Sequence, residues 1–389
     1  MQNLRYSTQT ITEKDIQNVK KVLKSDFLTQ GPNTQKFEKK IRALTGSKYC
    51  LAVNSGSSAL FLACKALFLK KGDHFWTVPN SFVATANCGV LCDLKIDFVD
   101  IDKDTWNISL QCLEKKLEKA KKKKKLPKLI IVVHLGGLPV NPIKLMQLSK
   151  KYKFKIIEDA AHSLGGKYNS KKVGCSKWSD ITVFSFHPVK IITTGEGGCC
   201  TTNNKKYYSA IKALRNNGIV NEKKNFKFKN LGPWYYEQQL LGYNFRMNDI
   251  QSALGISQLS KLNSFLKKRN KVAKFYHKQL KNLPIQLQKV EKNFYSTYHL
   301  FIIKLNVQYK NLHKSLFNYL RSKNIYVNLH YLPIHLQPFY RKFGFKKNQF
   351  PNAEEYSQTA ISIPVYPNLK RKDQIKIINY IRSFFKQHV

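Results

Sequence analysis

The sequence predicts an α/β fold with a mostly parallel central sheet, helices on both faces, and a smaller C-terminal α/β domain. Three observations carry this. The runs LIIVVHLGG (129–137), FKIIEDAAHS (154–163) and ITVFSFHP (181–188) open on β-branched and apolar residues, as strands covered on both faces do. Helical patterns separate such runs along the chain, the order that builds parallel sheets. After about residue 255 the texture changes: a polar, lysine-rich helical pattern (257–282) leads into mixed strands and helices. The large domain is therefore placed at 13–255 and the small one at 256–389.

The elements follow in order. ITEKDIQNVKKVL (11–23) has apolar residues at helical spacing, with Thr12 as N-cap. KYCLAVNSG (48–56) reads as a strand entering a glycine turn, and SSALFLACKAL (57–67) as the next helix. HFWTVPNSF (74–82) and IDFVDID (96–102) read as further strands. The run KAKKKKKLPK (119–128) reads as a solvated loop between a helix and a buried strand.

Lys and Arg number 68 against 23 Asp and Glu, a formal charge of +45 over 389 residues. The excess is nearly all lysine, spread over the whole chain, and no RRM, zinc-finger or KH signature accompanies it. Nucleic acid is therefore not the expected partner, although the field suits an anionic small substrate. No apolar run reaches the roughly 18–20 residues that span a bilayer. The start, MQNLRYSTQTITEKD, has no apolar signal region, so a cytoplasmic location is expected. The eight cysteines form no CxxC pair and no zinc spacing with histidine, so buried free thiols and no metal are expected.

Four groups sit where parallel sheets bind ligands, beyond the carboxyl ends of strands. NSGSSAL (54–60) joins a strand, a glycine turn and a helix start, an anion site for phosphate. In EDAAHS (158–163), Asp159 either caps the next helix or holds a proton on a cationic heterocycle, and His162 lies three residues on. In SFHPVK (185–190), Ser185 offers a hydroxyl and Lys190 an amine; a lysine at the bottom of a pocket loses its proton and attacks a carbonyl. GYNFRMND (242–249) is a polar turn with Asn244 and Arg246. Together these suit pyridoxal 5'-phosphate, which needs a phosphate cup, a lysine for its aldehyde and an acid against its ring nitrogen. Phe82 is available to stack on the ring.

The segments NSGSSAL, PNSFVATAN, FVDID, VHLGGLPV, EDAAHSLGGKY, FSFHPVKIITTGEGG and GYNFRMNDIQSALG resemble, in order and spacing, the DegT/StrS family of sugar aminotransferases. The resemblance covers nearly the whole chain. It implies the fold type I architecture of pyridoxal-phosphate enzymes, of the aspartate aminotransferase kind. It also implies homodimers with shared active sites and transfer of an amino group, usually from glutamate, to a nucleotide-linked ketosugar. By that resemblance Lys190 bonds the cofactor aldehyde, Asp159 pairs with the ring nitrogen, and His162 stands near the phenolic oxygen where many relatives carry Gln. Gly56, Ser57 and Ser185 face the phosphate, and Phe82 stacks on the ring. Asn244 reaches the neighbouring subunit's site. Tyr6, Asp26, Phe27, Leu28, Thr29, Asn328, Leu329, His330 and Tyr331 line the sugar-nucleotide site, so residues 1–12 are expected to pack beside it.

Segments such as DFLTQGP (26–32), GPWYYEQQLLGYN (232–244) and NLHYLPIHLQPFY (328–340) are similar to the branch acting on UDP-4-keto-6-deoxy-N-acetyl-L-altrosamine on the route to pseudaminic acid. A perosamine-type 4-ketosugar is the alternative substrate, and a nucleic-acid-binding protein on a retained fold the alternative class. Asn141 departs from the Asp common among relatives, and the lysine-rich inserts at 119–125 and 221–230 match no family role.

Overall fold

A computed structural model describes residues 3–228 and 232–389. Part of the insert at 221–230 therefore lies outside the described residues. Seven strands form the central sheet: β1 (Tyr49–Val53), β2 (His74–Thr77), β3 (Lys95–Phe98), β4 (Leu129–Val133), β5 (Lys155–Asp159), β6 (Ile181–Ser185) and β7 (Gly198–Thr202). Their order across the sheet is β1-β7-β6-β5-β4-β2-β3. Only β7 among them runs antiparallel to its neighbours.

The helices of this part are α1 (Glu13–Leu23), α2 (Pro32–Thr45), α3 (Gly56–Ala66), α4 (Ala84–Val90), α5 (Leu110–Lys122), α6 (Pro142–Tyr152) and α7 (Lys205–Leu214). They cover both faces of the sheet. Leu60, Ala63, Ile131, Ile157 and Val183 pack in one apolar cluster; Val132, Ile130, Ile156 and Leu145 pack in another. The central strands are thus buried on both sides, which is why they read as unbroken apolar runs.

The register aligns the chemistry. Val133 pairs with Asp159, and Asp159 with Val183, so three adjacent strands end at one level. Gly198 pairs with both Ser185 and Val53 and draws the loop after β1 against the end of β6. A side chain at Gly198 would strike the Ser55 carbonyl and the Gly56 nitrogen, at 2.5 and 2.8 Å. Glycine is required there because two backbones meet.

Several boundaries differ from those the sequence predicts. The strand at 74–82 stops at Thr77, ahead of Pro79, which has no N–H for a ladder. The strand at 96–102 runs only over Lys95–Phe98. The run 129–137 leaves the sheet at Val133, and Gly136 and Gly137 take left-handed backbone, φ 67° and 99°. The basic run 119–128 is not all loop, since its first residues finish α5. The pattern at 257–282 is two helices, α8 (Asp249–Ser260) and α9 (Leu262–Leu280). The first starts earlier than expected because Asn248 and Gln251 close a capping box. They break at Lys261, whose ammonium group pairs with Asp15 and donates to Thr12 Oγ1, 2.9 Å away.

Beyond α8 the chain builds a second core. The antiparallel strands β8 (Ile285–Leu287), β9 (Phe301–Leu305) and β10 (Ala360–Ile363) pack on α9, α10 (His313–Ser322) and the C-terminal helix Arg371–His388. Leu4 joins this core, because Leu4–Arg5 pairs in parallel with Ile325–Tyr326. That pairing carries Tyr6 to the edge of the site.

Candidate active site

A cavity of about 570 Å³ opens beyond the carboxyl ends of β1, β4, β5 and β6. It brings together Gly56, Ser57, Phe82, Asp159, His162, Ser185 and Lys190 from the large sheet side. Tyr6 and the segment Asn328, Leu329, His330 and Tyr331 form its other wall.

One end is an anion cradle. Ser55 caps α3, its hydroxyl accepting from the Ser58 N–H at 3.0 Å. The remaining N–H groups of the first turn stay available, with the positive end of the helix behind them. A Cβ on Gly56 would lie 2.9 Å from that of Ser185. The cradle is therefore narrow enough for Ser57 and Ser185 to flank one small anion.

Asp159 ends β5 and is nearly buried. The Thr85 hydroxyl donates to its Oδ2 at 2.6 Å, and the Ala161 N–H to its Oδ1 at 3.2 Å. Ser81 lies 2.7 Å from the same Thr85 hydroxyl. The carboxyl group is thus held at the base of the cavity by two hydrogen bonds.

Lys190 is half-buried, one turn after β6. Burial lowers its ammonium pKa to about 8, and the nearby Asp159 carboxylate offsets part of that fall. About a tenth is then neutral amine at pH 7, far more than at an ordinary lysine, as a nucleophile and proton carrier requires.

His162 is buried, and its Nε2 lies 3.2 Å from the Tyr331 hydroxyl. His299 stacks beside it with ring centroids 4.3 Å apart. Burial holds both imidazoles well below their usual range, and the charge of Lys190 pushes the same way. His330, pushed down to about 3 by burial and then by Lys190, meets Ser362 Oγ at 2.8 Å. Burial raises the Tyr331 hydroxyl above its ordinary value, so it stays protonated. These neighbours are neutral, and Asp159 is the carboxylate facing Lys190 from the cavity floor.

Phe82 is 57% exposed and flanks the cavity mouth, 6.2 Å from the Tyr331 ring. The other sequence-predicted residues lie outside the cavity of this chain. Asp26, Phe27, Leu28 and Thr29 form an exposed loop after α1. Asn244 bridges to Asn216, two residues before Arg246 bridges to Val53 at the end of β1. The start of α8, five residues past Asn244, is tied to the loop after α1: the Asp249 N–H donates to the Leu28 carbonyl at 3.0 Å, and the Asp249 carboxylate accepts from Gly31 and Asn33 N–H groups, both at 2.7 Å.

Sequence reasoning missed Thr85 and His299. Thr85 carries a local signal, one helical turn after Phe82 in NSFVATAN. His299 carries none, because only the tertiary fold brings it to His162.

The model of the DegT/DnrJ/EryC1/StrS aminotransferase family matches residues 9–382, and the chain belongs to that family. It is a pyridoxal-phosphate-dependent sugar aminotransferase. A UDP-4-amino-4,6-dideoxy-N-acetyl-beta-L-altrosamine transaminase of Campylobacter jejuni is 37% identical over 372 residues, 95% of this chain and 94% of that one. The structure of PseC from Helicobacter pylori, an aminotransferase of pseudaminic acid biosynthesis, superimposes with a TM-score of 0.91 at 29% identity. It covers 99% of this chain and all of that one. A putative sugar aminotransferase from Streptococcus pneumoniae in its PLP form gives 0.89 at 26% identity over the full length of both chains.

The residues fit the cofactor. The cradle at Gly56 has no room for a side chain beside Ser185, Asp159 is a buried carboxyl held by donors, and Lys190 is an amine of lowered pKa in the same cavity.

Proposed function

We propose that the enzyme moves an amino group from glutamate to C4 of UDP-4-keto-6-deoxy-N-acetyl-L-altrosamine. The observation that carries this reading is the facing of Lys190 and Asp159 by Tyr6 and the 328–331 segment across one cavity. The 328–331 segment is among the stretches through which the chain resembles the altrosamine transaminases.

Bound pyridoxal 5'-phosphate supplies the electron sink and carries the amino group between the two substrates. The protein's part falls to a few side chains. Ser57, Ser185 and the start of α3 hold the phosphate. Asp159, fixed by Thr85, keeps the ring nitrogen protonated. Neutral Lys190 takes the proton from the donor's Cα and returns one on the acceptor side, so one amine is both anchor and acid/base. His162 and Tyr331, both uncharged, orient polar groups at the ring edge without adding a charge that would repel Lys190.

We further propose a homodimer in which Asn244 and residues 26–29 complete the partner's cavity. That assignment accounts for their lying outside the cavity of their own chain.

Turnover with a panel of nucleotide-linked 4-ketosugars tests the substrate. The UDP-linked altrosamine precursor should exceed a GDP-linked perosamine precursor by at least about tenfold in kcat/KM, a difference of about 1.4 kcal/mol in transition-state binding. The reverse preference replaces this reading with the perosamine type.

A further inference from the structure

Helix α9 packs on the large-domain core through Phe265 and Leu266 and on the second core through Val272 and Tyr276. Arg269 lies between those pairs and is 1% exposed. Burial lowers its pKa to about 9, and no neighbouring carboxylate offsets that fall. A guanidinium buried without a counter-charge costs stability. Its donors go instead to backbone carbonyls and one hydroxyl, drawn from three separate segments. Nη1 donates to the Val365 carbonyl at 2.8 Å and to the Tyr298 and His299 carbonyls, both at 3.3 Å. Nη2 reaches Ser7 Oγ at 3.4 Å.

Two of these contacts lead to the cavity in one further step. Ser7 is buried and donates its hydroxyl proton to the Val189 carbonyl at 3.0 Å, so the N-terminal segment holds the residue before Lys190. The Arg269 N–H takes the oxygen side of that hydroxyl and turns its single proton toward Val189. The Val365 N–H donates to the Tyr6 carbonyl at 3.0 Å, and the Tyr6 ring packs on His330 with centroids 4.8 Å apart. Arg269 and Lys190 also line one narrow cleft of about 10 Å³, together with Thr8, Thr10 and Gln258.

We propose that Arg269 is a positioning residue for the transamination. Through Ser7 it fixes the backbone that carries Lys190, and through Val365 the backbone that carries Tyr6. One side chain thus sets the amine against the sugar-facing wall. Lysine is no substitute, because a single ammonium group does not present the rigid fork that spans Val365 and Ser7. The proposal rests on Lys190 as the reacting amine.

Arg269→Lys, Ser7→Ala and the double variant test it by two measurements. Single-turnover absorbance with glutamate reads the first half of the reaction. Acetic anhydride labelling of the cofactor-free enzyme, mapped to Lys190 across pH, reads the amine without turnover. In each single variant the maximal rate should fall about tenfold, while the glutamate concentration at half-maximal rate changes less than about threefold. The Lys190 labelling midpoint should rise from about 8 by at least about half a unit, because a loosened N-terminal segment admits water to the amine. The double variant should be no slower than Arg269→Lys, since both changes break one chain of bonds. An unmoved midpoint in both single variants, or additive losses in the double one, would make Arg269 merely structural and overturn the proposal. Should Arg269→Lys not fold, a wild-type rate and midpoint in Ser7→Ala overturn it alone. Lys190→Ala separates this from the reading beneath it. Turnover that survives there removes the role of Lys190 and this proposal with it. Turnover lost there but normal in Ser7→Ala and Arg269→Lys overturns this proposal only.

Discussion

The Thr85 hydroxyl donates to Asp159 Oδ2 at 2.6 Å, so a side chain of α4 fixes the carboxylate that ends β5. Both residues are buried, and the bond has a charged acceptor. Such bonds contribute about 1.5–3 kcal/mol, or roughly ten- to a hundredfold in an equilibrium or rate they control. Thr85→Val keeps the shape and removes the donor. Single-turnover Cα–H cleavage with glutamate should slow by about tenfold in Thr85→Val and by at least about a hundredfold in Asp159→Asn. Stopped-flow absorbance checks both. Unchanged rates in Asp159→Asn would remove that residue from its proposed role.

Lys190→Ala should retain the fold and lose transamination. It removes the anchor and the proton carrier together, so less than about a thousandth of wild-type turnover should remain. The near-visible absorbance of the lysine-linked cofactor should vanish as well. A variant with native circular dichroism and substantial turnover would place the chemistry on another amine.

The same lysine sets a pH dependence in the cofactor-free enzyme. Its folded pKa of about 8 lies below the usual 10.5. Between those values the unfolded chain binds more protons at this residue, so this residue's contribution to stability rises with pH. Its burial therefore costs stability below about pH 8, and the cost fades as pH approaches 10.5. The full shift corresponds to about 3 kcal/mol. Water at this half-buried site screens it to about 1–2 kcal/mol. Apo Lys190→Met should melt several degrees above apo wild type at pH 7, and the gap should close toward pH 10. A gap that widens with pH would contradict the sign.

Much of the site is legible in the sequence because each chemical residue closes an apolar run. Asp159 follows KII and Lys190 follows VFSFHP, and strand ends are where open parallel sheets bind ligands. What stays hidden depends on distance along the chain. The Tyr331 N–H donates to Asn80 Oδ1 across 251 positions, and His299 meets His162 through the ordering of the 296–300 segment. No local periodicity encodes either contact. Strand β7 is hidden for another reason. GCCTT reads as the tail of the glycine loop TTGEGG, yet it is buried on both faces and is the strand that brings Ser185 to Gly56.

The dimer makes the last prediction. Asn244 lies outside its own cavity, and Asp249 ties the turn that follows it to the loop at 28–33. Exposed apolar side chains crowd this region, with Phe27, Leu28, Trp234, Tyr236 and Leu241 among them. A closed two-fold pair would bury these and place each Asn244 at the other chain's cradle. The charge of +45 opposes association, but salt screens it over roughly 10 Å at 0.1 M. Mixing Lys190→Ala with Asn244→Ala tests the arrangement. Each parent should be impaired. A mixed dimer combines the intact Lys190 of one chain with the intact Asn244 of the other in one site and collects both defects in the second. Random exchange makes half of the dimers mixed, each with one restored site, so activity should recover to about a quarter of wild type. No recovery after proven subunit exchange would mean that Asn244 serves its own chain.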